Sequence, residues 1–227
     1  MKIRLNYTER GFGEPLILLH GNGESLEYFE NQIEYFWSDY HVIAIDTRGH
    51  GKSPRGDRPF TIRQFAEDLK GFMDRHKIEK AHILGFSDGG NIALCFALKY
   101  PERVNKLILN GANLCSEGVK VSVQLPIIAG YKIASLFAKR DLKALKNAEM
   151  LGLMVNDPAI EPAELNFLKI PTLVIAGTND MIKDKHTHLI FESLPNASLV
   201  LIEGDHFIAN KKADEFNMAV ELFLKGE

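Results

Sequence analysis

Six short apolar runs set the rhythm of the chain: Leu16-Ile17-Leu18-Leu19, Val42-Ile43-Ala44-Ile45, His82-Ile83-Leu84, Leu107-Ile108-Leu109, Leu173-Val174-Ile175-Ala176 and Leu199-Val200-Leu201-Ile202. Most are followed closely by Gly, Asn or Asp. A run that is apolar at every position suits a strand covered on both faces in a parallel sheet. Between the runs, apolar positions recur at helical spacing. Over 62–76, Phe65, Leu69, Phe72 and Met73 share one face behind Thr61, a good N-cap. The stretch 89–99 stops at Tyr100-Pro101, 183–193 precedes Leu194-Pro195, and about 212–224 gathers Phe216, Val220, Phe223 and Leu224. Strand and helix alternate through both ends of the chain, which predicts an α/β fold with right-handed crossovers. Ahead of the first run, Ile3-Arg4-Leu5-Asn6-Tyr7 alternates and leads into a Gly11-Phe12-Gly13-Glu14-Pro15 turn. That pattern predicts an antiparallel edge hairpin.

Residues 112–168 break the rhythm. They offer no strand, carry Pro126, Pro158 and Pro162, and hold helical patterns chiefly at 127–139 and 141–154. The stretch is too long for a loop in a compact domain. It predicts a helical cap inserted into a core built from 1–111 and 169–227.

Composition narrows the function classes. The chain has 227 residues, 45 % apolar and 25 % charged, with a formal net charge of −3. Disorder needs fewer apolar residues, and nucleic-acid binding usually needs a basic excess. No apolar stretch reaches the roughly 18 residues a membrane span requires. Cys95 and Cys115 are the only cysteines, too few for a disulfide framework, and Met1–Asn6 shows no signal-peptide pattern. A cytoplasmic protein acting on a small molecule is the expectation.

The chemistry sits at strand ends. Gly85-Phe86-Ser87-Asp88-Gly89 follows the third buried run and opens a helix, the setting of a nucleophile elbow. Glycines are needed there because so sharp a turn brings backbones together and strains the central residue. A serine hydroxyl must lose its proton to attack, so Ser87 needs a base, and the base needs an orienting acid. Two later runs end suitably: one runs into Gly177-Thr178-Asn179-Asp180 and the other into Glu203-Gly204-Asp205-His206. Open α/β sheets place ligands at the carboxyl ends of strands, so Asp180 and His206 emerge on the same edge as Ser87. His20-Gly21-Asn22-Gly23 follows the first buried run at that edge. The backbone N–H groups of Asn22 and Asp88 are the candidate oxyanion donors.

Together with Asp46-Thr47-Arg48-Gly49-His50-Gly51-Lys52-Ser53, these segments resemble the α/β-hydrolase fold family in family order and over nearly the whole chain. The Ser-Asp-Gly-Gly elbow is similar to that of the valacyclovir-hydrolase-like and small carboxylesterase branches. The resemblance implies a mostly parallel sheet of seven to eight strands, a cap after the sixth strand, and Ser87, Asp180 and His206 as a catalytic triad. The chain departs from the pattern in a clipped N-terminal hairpin and a short cap. The function so implied is that of a serine hydrolase cleaving a small ester-like substrate through an acyl-enzyme, with no cofactor and no metal. A lyase, perhydrolase or acyltransferase on the same triad is the alternative, and a ligand receptor without turnover is a further one.

Competing readings of single residues remain. Gly49–Ser53 nearly matches a phosphate-binding loop, but Asp46 stands where a glycine is required and Pro54 follows the serine. A loop bordering the site is the better reading. His186 and His188 are two apart on a predicted helix and do not share a face, so they make no metal pair. His20 and His50 are read as loop braces. Asp205 and Glu203 compete with Asp180 for the acid role, but Asp205 adjoins His206, and neighbours in an extended segment point apart. Asp88 is either a solvent-facing residue favoured by the helix dipole or a carboxylate on the pocket floor favouring cationic acyl groups.

Overall fold

The computed structural model describes residues 3–226. Its strands are β1 (Tyr7–Arg10), β2 (Pro15–Leu19), β3 (His41–Ile45), β4 (Ala81–Phe86), β5 (Val104–Asn110), β6 (Thr172–Gly177) and β7 (Ala197–Ile202). They form one sheet in the order β1-β3-β2-β4-β5-β6-β7, parallel except for β1. Its α-helices are α1 (Glu30–Phe36), α2 (Ile62–Arg75), α3 (Asp88–Lys99), α4 (Val121–Phe137), α5 (Leu142–Asn156), α6 (Pro162–Leu165), α7 (Asp184–Ser193), α8 (Ile208–Lys211) and α9 (Ala213–Lys225).

The apolar runs become strands because both sheet faces are covered. Ile17, Leu19, Ile43, Ile45 and Ile83 point into one core with α2 and α3, while Leu16, Leu18, Val42, Ala44 and Leu84 point into the other with α9. Each fully buried Leu, Ile or Val contributes about 1.5–3 kcal/mol. Thr61 caps α2, its Oγ1 accepting from Gln64 N–H at 3.2 Å. Among the described residues, no helix is long and apolar enough to cross a membrane.

Four expectations are corrected. Among the described residues the sheet has seven strands, within the expected seven to eight, but the long insertion follows the fifth of them, β5, and not the sixth. The N-terminal strand is no hairpin partner of β2. It pairs antiparallel with β3, Tyr7 opposite Ile45, because β2 already has parallel neighbours on both edges. Gly11 (φ +86°) lets the connection pass so close to α1's exit that a Cβ would lie 2.1 Å from the Trp37 carbonyl oxygen. Strand β7 is the other sheet edge, and Leu201 is 43 % exposed, so this apolar run is covered far less than the other five. Finally, α4 does not wait for Pro126. It starts at Val121, where Lys120 N–H bonds the Met181 carbonyl and Val119 bridges Ile182, so the preceding residues are already held when the proline arrives.

Between β5 and β6 the chain is helical, with α4 and α5 packed against one another. Its later part returns to the main core, since Leu153, Ile160, Leu165 and Leu168 are buried among the residues of α2 and α3.

Candidate active site

Parallel register brings five strand ends to one edge. Leu19 of β2 lies opposite Gly85 of β4, Phe86 opposite Asn110 of β5, and Gly177 of β6 opposite Ile202 of β7. Each candidate residue occurs just beyond one of these ends.

Ser87 links β4 to α3 with φ 54° and ψ −120°, a conformation that costs a non-glycine residue about 1–3 kcal/mol. The surroundings hold it there: Ser87 N–H donates to Asn110 O at 2.8 Å, and its carbonyl accepts from Asn91 N–H at 3.0 Å. The flanking glycines are sterically required. A Cβ on Gly85 would lie 2.2 Å from the Gly89 carbonyl oxygen, and one on Gly89 only 1.9 Å from that of Leu19.

Asp180 and His206 come from loops tied to each other, since Thr178 N–H donates to Ile202 O at 2.9 Å and Asn179 N–H to Gly204 O at 2.8 Å. The His206 ring sits between the other two side chains, with Nδ1 2.6 Å from Asp180 Oδ1 and Nε2 3.0 Å from Ser87 Oγ. Asp180 Oδ1 also accepts from Ile182 N–H at 2.9 Å. Both Asp180 and His206 are buried, and the ring packs on Phe86 with centroids 4.8 Å apart. Gly111 (φ +60°) leaves room for it, because a Cβ there would lie 2.7 Å from His206 Cε1. Read chemically, Ser87 O–H donates to Nε2 while Nδ1–H donates to the carboxylate. Asp205 does not compete: its carboxylate accepts from Phe207 N–H and pairs with Lys211 on the exposed side.

The turn Gly21-Asn22-Gly23 follows β2, the sheet neighbour of β4. Among the described residues, neither the Asn22 nor the Asp88 backbone N–H has an internal acceptor. Two such donors, one at the start of α3, are what a developing oxyanion needs. The neighbouring loop is built around Asp46. Its carboxylate accepts from Leu26 N–H, Lys52 N–H and Asn6 Nδ2, each at 2.8 Å, and Gly51 leaves the room it needs. Arg48 forms a buried bidentate pair with Asp68 at 2.7 Å. No phosphate cradle is needed to account for this segment. His20 Nε2 accepts from Thr47 N–H at 3.0 Å while Nδ1 donates to Gly21 O at 2.7 Å, and burial lowers its pKa to about 4. His20 is therefore a neutral brace between the two loops. His50 donates in the same way from Nδ1 to Arg48 O at 2.9 Å. His186 is also engaged, accepting from Leu114 N–H at 3.0 Å.

Asp88 is not solvent-facing. It is buried, with Oδ1 accepting from Asn91 Nδ2 at 3.2 Å and Oδ2 without a partner among the described residues. Burial pushes its carboxyl up to about 6, offset in part by the amides of Asn22 and Asn91, while the Asp157 charge pushes the same way as burial. Three further features escaped the sequence reading. Asp157 is raised by burial, Glu24 is raised by burial and feels His206, and the Asn22 amide donates to Met150 O on α5 at 2.7 Å. Glu24 stands one residue past the His20–Gly23 motif and could have been flagged. Asp157 and Met150 lie more than sixty positions from Ser87, and no local pattern points to them.

Comparison with known proteins agrees with the architecture. The family model described as alpha/beta hydrolase fold matches residues 14–132. A 2-hydroxy-6-oxononadienedioate/2-hydroxy-6-oxononatrienedioate hydrolase of Paraburkholderia phymatum is 35 % identical, covering 98 % of this chain and 91 % of that one. The human serine hydrolase BPHL is 28 % identical over 98 % of this chain and 84 % of its own. The crystal structure of the enol-lactonase from Burkholderia xenovorans superposes with a TM-score of 0.83 at 22 % identity, covering 98 % and 97 % of the two chains.

Proposed function

Because the chain belongs to the α/β-hydrolase fold family, we propose that it is a serine hydrolase that cleaves a small ester through an acyl-enzyme. The observation that carries this reading is the contact series Ser87 Oγ to His206 Nε2 at 3.0 Å and His206 Nδ1 to Asp180 Oδ1 at 2.6 Å. In this mechanism His206 takes the Ser87 proton as Oγ attacks the carbonyl carbon. Asp180 holds the ring in the tautomer with hydrogen on Nδ1 and stabilises the imidazolium. The Asn22 and Asp88 N–H groups receive the oxyanion. His206 then protonates the leaving alkoxide, and water, deprotonated by the same ring, releases the acid. Side chains, backbone and water suffice for every step.

The substrate class follows from charge. Asp88 adjoins Ser87 and feels the charge of Asp157, and Glu24 feels His206. A dianion such as the dienedioate in the relative's name would meet like charges there, whereas a neutral or cationic acyl group would not. An uncharged or amine-bearing ester is therefore favoured over a dicarboxylate. The helices α4 and α5 act as a cap over the site, with the Asn22–Met150 bond as one point of attachment. A panel of chromogenic esters of equal size, with aminoacyl, neutral and carboxylate acyl groups, tests the reading on wild type, Ser87→Ala and Asp88→Asn. Turnover is expected for the first two acyl types, abolished in Ser87→Ala, and with the aminoacyl preference reduced in Asp88→Asn. Wild-type-like turnover by Ser87→Ala would overturn the reaction, and an unchanged preference in Asp88→Asn would overturn the role of Asp88.

A further inference from the structure

The α4–α5 hairpin carries a surface that the proposed chemistry does not use. Near its turn, Ile133, Leu136 and Phe137 share one face of α4 at helical spacing, and Leu142 opens α5. They stand well out of the fold, at 61, 78, 57 and 84 % exposure. Charge in the same stretch is one-sided. Lys132, Lys139, Arg140, Lys143 and Lys146 face only Asp141 within 132–146, in a chain whose overall charge is −3.

Helix stability does not account for the basic residues. Lys139 and Arg140 follow the C-terminus of α4, where cations suit the dipole, but Lys143 and Lys146 lie near the N-terminus of α5, where acids are preferred. The one acid, Asp141, is engaged in capping α5 through Lys143 N–H at 2.7 Å. Among the described residues, none of the five basic side chains forms an ion pair with a carboxylate, whereas Glu149, further along α5, pairs with Arg55. One end of α5 is thus tied to the body of the protein, and the other presents unpaired cations around bare leucine and phenylalanine.

We infer that this hairpin tip docks on an anionic lipid surface, with Leu136, Phe137 and Leu142 entering the headgroup boundary and Lys139, Arg140 and Lys143 meeting the phosphates. Charge complementarity selects this occupant: apolar tips ringed by Lys and Arg are how an interfacial element holds to an acidic membrane. A second copy of the chain is disfavoured. A two-fold contact through this face would set the two basic clusters against each other. The inference does not depend on which reaction Ser87 performs.

The test is co-sedimentation of the full chain with large vesicles of phosphatidylcholine alone or with about 30 mol % phosphatidylglycerol. Wild type is expected to bind the anionic vesicles, to ignore the neutral ones, and to be released by about 0.5 M salt, where screening shortens to a few ångströms. The triple variant Lys139→Glu, Arg140→Glu, Lys143→Glu is expected to lose at least about tenfold in partitioning, while its circular dichroism stays that of wild type. Leu142→Trp, a milder variant, is expected to give an indole blue shift with anionic vesicles alone. No binding by wild type at low salt, or equal binding by the charge-reversed variant, would overturn the proposal. So would a concentration-dependent dimer that disappears in Leu136→Ser, Phe137→Ser, because that result would assign the face to a second copy.

Discussion

The strand-end edge of the sheet and the α4–α5 hairpin are built on opposite principles. At the edge, positions are over-determined: Ser87 is held by two backbone hydrogen bonds in a strained conformation, and Asp180 and His206 are buried on mutually tied loops. The hairpin's outer end has exposed apolar side chains and, among the described residues, cations in no ion pair, while the other end of α5 is held by contacts such as Asn22–Met150 and Arg55–Glu149. Precision is concentrated where, in the proposed mechanism, a proton passes between Ser87 and His206. A surface that covers a substrate or meets a partner can tolerate looser definition.

The contrast can be broken hardest at Ser87. Ser87→Ala is expected to lower kcat on an ester by about 10⁶, close to 8 kcal/mol of barrier, with an unchanged thermal unfolding profile. Asp180→Asn comes next, at about 10⁴ in kcat, because the ring at His206 would then favour the wrong tautomer. A stopped assay with burst analysis distinguishes lost chemistry from lost binding.

Asp88 sharpens the comparison by showing what the edge costs in stability. Its carboxyl sits at about 6 against an ordinary 3.8, raised chiefly by burial, so the folded state binds this proton more tightly than the unfolded one. Its favourable effect on folding is full below pH 3.8 and is lost as pH rises through about 6. Asp88→Asn is therefore expected to stabilise the protein at pH 8 by on the order of 3 kcal/mol, and by almost nothing near pH 3.5. Urea unfolding at the two pH values reads the difference.

The smallest effect belongs to the hairpin. Arg55→Ala removes a partly exposed ion pair with Glu149, worth about 1 kcal/mol or less. A rise of a few-fold in KM with kcat almost unchanged is expected. A drop in kcat comparable to that of Asp180→Asn would show that the hairpin is part of the catalytic geometry and would collapse the distinction.

How far each region could be read from the sequence follows the same division. Apolar runs covered on both faces announce a parallel sheet, and the parallel register then puts residues just past each run on one edge. That is why Ser87, Asp180 and His206 could be singled out together and why the structure brings them within hydrogen-bond distance. The edges of the sheet were harder. The exposure of β7 and the pairing of β1 with β3 depend on which strand lies outside, and local alternation does not encode that. Pro126 does not mark the start of α4, because residues 119–120 are already anchored to the Met181–Ile182 segment and the helix begins at Val121. Asp88 is buried and feels Asp157, a residue that follows α5 and is remote in the chain, so only the folded arrangement reveals the pairing.

The most direct measurement is peptide mapping by mass spectrometry after brief exposure of the folded wild-type protein to a fluorophosphonate. A single adduct on the peptide containing Ser87, absent from Ser87→Ala and formed far more slowly in Asp180→Asn, is the expected result. No adduct on the folded protein, or one on another serine, would contradict the assignment of Ser87 as the activated nucleophile.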